Sequence, residues 1–390
     1  MIPELAEETF MMSASQKKQF AIGASCLYIL LWIIYFGFRQ SLWDVSVNAS
    51  ISLSKHGGLL LWYCWLFSEV VYKWYILIIG VLGVFAPRKD RMMTSVLVFI
   101  ISYIVRQYIR LIIGETRPQY TTPDITMRGG CNCSYGMPSG HSEGTAMVYA
   151  LLFYNIIPLK AGNSFKAKMV ALYIFITASV TFSRIYYGRH SIPQVVLGAW
   201  QSVTAFAWML VFEDTTNAFF RRLLAGGQSE LRLLLTFNVS VLVINLGSWF
   251  LIFDNQISSL DLKSKTCFEC FANGNLSVKH DLGKALIFPT IWLGMTIGFM
   301  IGGVRCEPYN PKYLGMHVSW LGVKRILLNL VLYSPLLIVM GMKGEMLPII
   351  SVGILLYIFS GYLLSTVEIR LRHRFGLNIA GDLSLEGLEK

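Results

Sequence analysis

The sequence predicts an all-α protein built as a polytopic bundle of membrane-spanning helices. Of its 390 residues, 55% are hydrophobic and only 14% are charged, whereas soluble proteins carry about one quarter charged residues. Long apolar runs recur along the chain, and the charged residues collect in short stretches between them. Runs such as LLWYCWLF lack the alternation of a membrane β-strand, so we expect helices.

About ten spans fit the sequence, because a helix that rises about 1.5 Å per residue needs about 20 apolar residues to cross the hydrocarbon layer. The predicted spans lie near residues 20–38, 59–86, 93–113, 142–159, 167–183, 191–212, 231–253, 284–304, 324–342 and 346–367. The second run is long for one perpendicular helix, so it is either a tilted span or a short interfacial helix followed by a span. We assign residues 1–213 to a six-helix core and residues 214–390 to additional helices with a large loop at 254–283.

The distribution of basic residues orients the predicted bundle. Lysine and arginine gather on the side of the N-terminus, for example at Lys17 and Lys18, and basic loops of this kind are typically cytosolic. The opposite, luminal or exterior side then receives four predicted loops, at 39–58, 114–141, 184–190 and 254–283. Glycosylation triplets fall on that same side, beginning at Asn48, Asn132 and Asn275.

Three polar clusters stand at the ends of spans on the luminal side, over residues 110–118, 136–144 and 183–194. Their candidate functional residues are Arg110, Arg117, Ser139, Gly140, His141, Arg184, His190 and Gln194. An arginine at a membrane end is usually an anchor, and a Ser-Gly turn or a lone histidine is usually structural. Their combination on one side of a bilayer is much rarer than its parts and predicts a site for an anion.

Each cluster suits a phosphate group. Arginine presents a rigid fork of N–H donors that fits phosphate oxygens and stays charged at physiological pH. A Ser-Gly turn at a helix start offers backbone N–H groups and the positive end of the helix dipole. One neutral imidazole can attack phosphorus, while a second, protonated imidazole gives a proton to the leaving oxygen. No Walker lysine motif, Cys-x5-Arg loop or Asp-rich magnesium cluster competes, so no metal or cofactor is predicted.

The three clusters, in this order, resemble the signature motifs of the type 2 phosphatidate phosphatase superfamily. The family pattern is Lys-x6-Arg-Pro, then Pro-Ser-Gly-His, then Ser-Arg-x5-His-x3-Asp. The second motif is intact here from Pro138 to His141, and the third is intact from Ser183 through His190. The resemblance covers roughly residues 90–213 and implies that the six-helix core is a membrane phosphatase that needs no metal.

The resemblance also implies a role for each candidate residue. His190 is expected as the nucleophile that forms a phosphohistidine, and His141 as the acid that protonates the leaving oxygen. Arg184 completes the expected catalytic group. The expected phosphate-binding residues are Arg110, Arg117, Ser139 and Gly140.

Two positions depart from the family pattern. Arg110 replaces the opening lysine, which keeps the positive charge but changes its shape. Gln194 replaces the last aspartate, which in the family orients the histidine and stabilises its cation. Gln194 can orient His190 through its carbonyl oxygen but supplies no negative charge. Either another carboxylate helps, with Glu115 and Glu143 nearest in sequence, or turnover is slower.

The sequence leaves the substrate open between a lipid phosphate, a lipid pyrophosphate and a sugar phosphate. The stretch 138–149 and Gln194 are similar to the glucose-6-phosphatase branch, whereas 135–141 and 183–192 are equally similar to sphingosine-1-phosphate phosphatases. A lipid phosphate is favoured over a sugar phosphate, because the site lies at the membrane surface among aromatic residues at 186 and 187.

The expected partners are therefore the lipid bilayer and a phosphorylated lipid or sugar, and not nucleic acid. The expected location is the endoplasmic reticulum with a luminal site, or alternatively the plasma membrane. The sequence does not fix the oligomeric state. An alternative of another class is a lipid or anion transporter that keeps the phosphate site for binding alone, although no repeat between the two halves supports it.

Four cysteines belong to two of the luminal segments, and they are Cys131, Cys133, Cys267 and Cys270. In an oxidising compartment they are expected to form disulfides. A four-thiolate zinc site and four unpaired thiols are the alternatives, and the sequence does not give the pairing.

Overall fold

A computed structural model describes residues 12–72, 89–122, 124–125, 135–156, 162–224, 227–256, 305–306 and 383–384. The described residues form two compact units. The first contains those within 1–80 and 97–213, and the second contains those within 81–96, 214–261 and 276–390.

The described part of the chain is almost entirely helical, as the sequence predicts. The helices are α1 (Ala14–Gly37), α2 (Arg39–Ser54), α3 (Leu59–Trp65), α4 (Lys89–Ile113), α5 (Pro118–Thr121), α6 (Gly140–Ile156), α7 (Asn163–Tyr186), α8 (Ile192–Leu224) and α9 (Gln228–Gln256). A π-helical stretch, Leu66–Val71, continues α3. In the second unit, β1 (Arg305–Cys306) pairs antiparallel with β2 (Leu383–Ser384).

Within the described residues, four helical segments are long and apolar enough to cross a membrane, namely Ala14–Gly37, Asp90–Thr121, Asn163–Tyr186 and Ile192–Leu223. Each overlaps a span expected from the sequence, and together they make this an all-α membrane protein. The number of ten spans stays a prediction. The spans expected near 284–304, 324–342 and 346–367 lie outside the described residues, as do residues 257–283 of the large loop.

Helix α1 shows why a sequence of this kind folds in lipid. A reciprocal pair of hydrogen bonds caps its N-terminus, since Ser13 Oγ accepts from the Gln16 N–H and the Ser13 N–H donates to Gln16 Oε1. Along its length, large apolar side chains point outward, with Ile29 58% and Ile33 62% exposed. Such a surface is unfavourable in water but suits hydrocarbon, where the internal helical hydrogen bonds satisfy the backbone.

Residues 39–54 are a helix, although the sequence reasoning expected 39–58 to be a loop. The serines in this stretch made it look polar and irregular, but Ser46, Ser50 and Ser54 are four residues apart and all three are buried. They form one face of α2, which packs on α7 and α5. Small hydroxyl side chains allow helices to approach closely and bond to backbone, so a serine stripe is a packing surface here.

A buried ion pair lies within the first unit. Lys17 Nζ is 3.0 Å from Glu213 Oε1, and the Tyr154 hydroxyl donates to Glu213 Oε2 at 2.8 Å. The sequence predicts Lys17 only as one of the basic residues on the cytosolic side, but its side chain is 5% exposed and lies within the protein. Lys17 therefore forms an ion pair that joins α1 to α8.

This pair predicts a stability difference between two adjacent lysines. Replacing Lys17 with methionine leaves a buried carboxylate without its cation and should lower the free energy of unfolding by about 3 kcal/mol. The neighbouring K18M variant is the control, because Lys18 is exposed. Thermal unfolding of the purified protein in detergent measures both, and a K17M variant as stable as K18M would contradict the assignment. The double variant K17M/E213L is expected to recover most of the loss.

Candidate active site

The third cluster is a tight reversal between α7 and α8. Gly188 has a φ of +62°, in the left-handed region that glycine adopts without strain. Its N–H donates to the Ile185 carbonyl at 2.9 Å, and the Arg189 N–H donates to the Arg184 carbonyl at 3.0 Å. These bonds close the C-terminus of α7 and place His190 just before α8 begins.

His190 is buried, and both of its ring nitrogens have polar neighbours. Nδ1 lies 2.9 Å from the carbonyl oxygen of Gly136 and 3.1 Å from Gln194 Oε1. Because both of these oxygens only accept, the ring hydrogen belongs on Nδ1. Nε2 then carries a lone pair, and Arg117 Nη1 lies 3.0 Å from it. The imidazole is thus oriented on one side and presents a nucleophilic nitrogen on the other.

Gln194 connects the third cluster to the first. It stands one turn after His190, and its side-chain N–H groups donate to Glu115 Oε2 and to the Thr116 carbonyl, both at 2.8 Å. Its Oε1 also accepts the Ser191 N–H at 3.2 Å. The sequence reasoning expected Gln194 to orient the histidine, and the structure puts it in position to do so.

Backbone bonds hold the second cluster between the other two. The Gly136 N–H donates to the Glu115 carbonyl at 2.7 Å, and the Ser139 N–H donates to the Gln194 carbonyl at 2.8 Å. A side chain at Gly198 of α8 would place its Cβ 2.6 Å from the Ser139 carbonyl oxygen. The Ser-Gly turn at the start of α6 therefore fits against α8 because residue 198 has no side chain.

Arg110 of the first cluster and Arg106, one helical turn before it, lie against this turn. Arg110 Nε donates to the Pro138 carbonyl at 3.0 Å, and Arg106 Nη1 donates to the Gly140 carbonyl at 3.2 Å. A Cβ on Gly140 would lie 2.9 Å from Arg110 Nη2 and 3.0 Å from Arg106 Nη1. The glycine thus admits both guanidinium groups to the start of α6, where the positive helix end also favours an anion.

Arg106 is anchored by a carboxylate that is also buried. Its Nη1 bonds to Glu143 Oε2, while Ser102 donates to Glu143 Oε1 at 2.7 Å. The guanidinium carbon of Arg106 also lies 4.2 Å from the centre of the Tyr103 ring. Glu143 therefore ties α6 to α4 and does not reach His190 through any of these bonds.

Arg184 enters the site from the end of α7 and is 1% exposed. Its Nη1 donates to Ser68 Oγ in the π-helical stretch at 2.6 Å. Within the described residues its Nε, also buried, has no hydrogen-bond partner. A buried donor without an acceptor is costly, and an anion bound beside it would remove that cost.

His141 stands in the first turn of α6. Its ring is stacked on Tyr72, with 3.7 Å between ring centres and an interplanar angle of 23°. Tyr72 follows the π-helical stretch, and the Tyr149 hydroxyl fixes that stretch by donating to the Val71 carbonyl at 3.3 Å. Sequence patterns alone did not indicate Ser68 or Tyr72, because no family motif covers the end of α3.

The surroundings of both imidazoles favour their neutral form. Burial, reinforced by the guanidinium groups of Arg117 and Arg184, holds the pKa of His190 well below its usual range. Burial also lowers the pKa of His141, and Arg184 and His190 add to the effect. A bound anion raises the pKa of both histidines again, because its negative charge offsets the nearby cations and favours the protonated imidazole.

Helix α2 supports the site although the sequence reasoning missed it. Ser46 Oγ accepts the Ile192 N–H at 3.0 Å, and the Ser50 hydroxyl donates to the Ile185 carbonyl at 3.0 Å. These two bonds flank the reversal that carries Arg184 and His190. The spacing of four residues between the serines was the sequence signal that would have revealed the helix.

One further expectation changes with the structure. Tyr186 and Tyr187 are 0% and 6% exposed and pack around Cys64, so they belong to a core cluster and not to an interfacial belt. Their expected support for a lipid substrate is therefore removed. The four cysteines that the sequence predicts on the luminal side lie outside the described residues, and their disulfides stay a prediction.

The geometry thus joins the three clusters expected from the sequence. The model of the PAP2 superfamily matches residues 91–218. This segment is a PAP2 superfamily domain. Curated proteins and solved structures gave no match to this chain. Membership supports a phosphatase-type hydrolase of phosphate esters, and the matched segment contains all eight candidate residues.

The contact between Gly198 and Ser139 gives a test of this site. A G198A variant forces the Ser139 backbone away from α8, and a displacement near 1 Å should lower kcat for phosphate-ester hydrolysis by about 100-fold. The G23A variant is the control, because a Cβ at Gly23 of α1 meets nothing within 4 Å. Equal kcat values for the two variants would show that the Ser-Gly turn is not part of the catalytic site.

Proposed function

We propose that this chain is an integral membrane phosphatase that hydrolyses a lipid phosphate through a phosphohistidine on His190, without a metal ion. The active site faces the lumen or the cell exterior. The proposal rests on one observation above all, which is that Nδ1 of His190 donates to Gly136 and Gln194 while Nε2 faces Arg117. A histidine held in this way is ready to attack an electrophile that arginine binds.

In the first step, the lone pair of His190 Nε2 forms a bond to phosphorus, and the bond from phosphorus to the leaving oxygen breaks. His141 gives its proton to that oxygen. Arg117 Nη1 moves its N–H from Nε2 to a phosphate oxygen when the substrate enters. The charge that gathers on the phosphate oxygens is stabilised by Arg110, Arg184 and the start of α6.

In the second step, water attacks the phosphohistidine, and the bond from Nε2 to phosphorus breaks. The electron pair returns to the imidazole, and His141, now neutral, takes a proton from the attacking water. The lowered pKa of both histidines fits this order of steps. His190 starts neutral, as a nucleophile must. The negative charge of the bound phosphate raises the pKa of His141, which then takes up a proton from solvent.

Arginine donors replace a metal ion in this proposal. Arg184 supports that assignment, because its buried Nε has no partner among the described residues and suits a phosphate oxygen. Full activity in EDTA is therefore expected, and loss of activity that returns with one divalent cation would contradict it.

A lipid phosphate is the favoured substrate because these side chains lie at helix ends beside an apolar surface. The helices are long and apolar enough to span a membrane, so we expect their ends near the lipid head groups. Beside Arg110, Ile112 is 77% exposed, so the helix end that carries the phosphate site also presents an apolar side chain that suits a lipid chain. Purified protein tested on a long-chain lipid phosphate and on glucose 6-phosphate distinguishes the two, and a higher kcat/KM on the sugar would make it a sugar phosphatase.

The first test of the mechanism is the loss of the nucleophile. An H190A variant should lose all measurable phosphate release, because no other imidazole occupies that position. The H56A variant is the control, since His56 is exposed and outside the motifs. Normal activity of H190A would remove the mechanism.

The second test separates the two steps. With an aryl phosphate whose leaving group needs no proton, the H141A variant should form the phosphohistidine but hydrolyse it slowly. Incubation with labelled substrate and quenching in alkali should therefore leave label on His190 in H141A and none in H190A. Label on another residue of H141A would show that His190 is not the nucleophile.

A further inference from the structure

We infer that Glu115 supplies the negative charge that Gln194 lacks, and that it acts on His190 through the Gln194 amide as a positioning residue. The inference rests on the proposed function in one respect, namely that His190 is the nucleophile. It assigns to two side chains the task that one aspartate performs in the family pattern.

The Gln194 amide has a single orientation. Its N–H groups face Glu115 Oε2 and the Thr116 carbonyl, and its oxygen faces the Ser191 N–H and His190 Nδ1. A flipped amide would turn its N–H groups toward two donors and its oxygen toward two acceptors. The carboxylate thereby fixes which end of Gln194 meets the histidine.

Glu115 is itself held in place. It is 5% exposed, its Oε1 accepts the Tyr35 hydroxyl at 2.6 Å, and Arg39 Nε lies 3.5 Å from the same oxygen. Its backbone carbonyl accepts the Gly136 N–H, and the Gly136 carbonyl faces His190 Nδ1. Side chain and backbone of Glu115 therefore both lead to the same ring nitrogen.

The charges around His190 explain why a carboxylate is needed there. Arg117, Arg184 and Arg110 all act on the ring as cations, and His141 lies close enough to interact with it. When Nε2 bonds to phosphorus, the ring becomes positive and these cations oppose the change. Glu115, on the Nδ1 side, is the anion that the hydrogen bonds connect to the ring.

The other nearby carboxylate has a different task. Glu143 pairs with Arg106 and accepts from Ser102, so its bonds lead to α4 and the start of α6. No proton needs to cross the Gln194 amide in this arrangement. The Nδ1 hydrogen stays on its nitrogen, and the polarised chain of two hydrogen bonds lowers the energy of the ring cation.

The decisive experiment moves the negative charge from position 115 to position 194, which is one hydrogen bond closer to His190. E115Q removes the carboxylate charge and should lower kcat by about tenfold, with KM changed by less than about threefold. The double variant E115Q/Q194E puts a carboxylate directly against His190 and should restore kcat to within about threefold of the wild type. D44N removes an exposed carboxylate of α2 and is the matched control. An E115Q variant with wild-type kcat, or a double variant no better than E115Q, would overturn the inference.

A second measurement does not depend on turnover. The chain has six histidines, so solid-state NMR of protein in lipid, labelled with 15N at the histidine rings, can follow His190, assigned by its loss in H190A. Loss of the nearby negative charge should move the titration midpoint of His190 down by about one pH unit in E115Q, and not in D44N. An unchanged midpoint in E115Q would overturn the inference. Wild-type protein that hydrolyses no phosphate ester would instead remove the proposed function, and the midpoint would still decide the role of Glu115.

Discussion

The hydrogen bond between His190 Nδ1 and the Gly136 carbonyl joins two stretches of chain that are 54 residues apart in sequence. The neighbouring bonds from Gln194 to Glu115 and from Ser139 to Gln194 bring in the first cluster and the start of α6. A histidine placed by backbone carbonyl and amide groups loses little freedom when substrate binds. The hydrogen bonds that orient this one ring therefore also fix the positions of the three motifs relative to one another.

Buried charge is expensive in such a protein, and the described part of the chain places it in pairs. Arg106 with Glu143 and Lys17 with Glu213 each lie almost fully inside the first unit. Removing one partner leaves the other charge buried and unpaired, which lowers the free energy of unfolding by more than the intact pair adds to it. Each pair therefore holds the helices that carry its two residues in one packing arrangement. Arg184 differs from these paired residues, because within the described residues its side chain donates to the neutral Ser68 hydroxyl and not to a carboxylate. That difference separates a structural arginine from one that suits an anion.

Much of the site could be predicted from the sequence. The apolar runs indicated the helices, and the motif spacing indicated that Arg117, Ser139 and His190 meet, because each stands at the end of a span. The likeness to the family also raised the question of which carboxylate compensates for Gln194, but it could not choose between Glu115 and Glu143. The choice depends on which way the Gln194 amide faces, and that follows only from three-dimensional contacts.

The remaining differences between the sequence-based prediction and the structure have a common physical cause. Helix α2 and the π-helical stretch with Ser68 contribute small or polar side chains that bond to the backbone or to a motif residue across the bundle. Apolar periodicity does not report such contacts, since the helix faces that make them are not apolar. Tyr186 and Tyr187 show the reverse case, because aromatic residues at a membrane end can equally pack inside the protein.

The central claim is that these clusters form one anion site with His190 on one side of phosphorus and His141 on the other. An experimental structure of the protein with orthovanadate, which mimics the five-coordinate transition state, tests it most directly. Vanadium is expected to bond to His190 Nε2, with His141 facing the opposite apical oxygen and Arg117 and Arg184 on the equatorial oxygens. Vanadate bound elsewhere, or bound with His190 turned away from it, would show that the three clusters do not form this site.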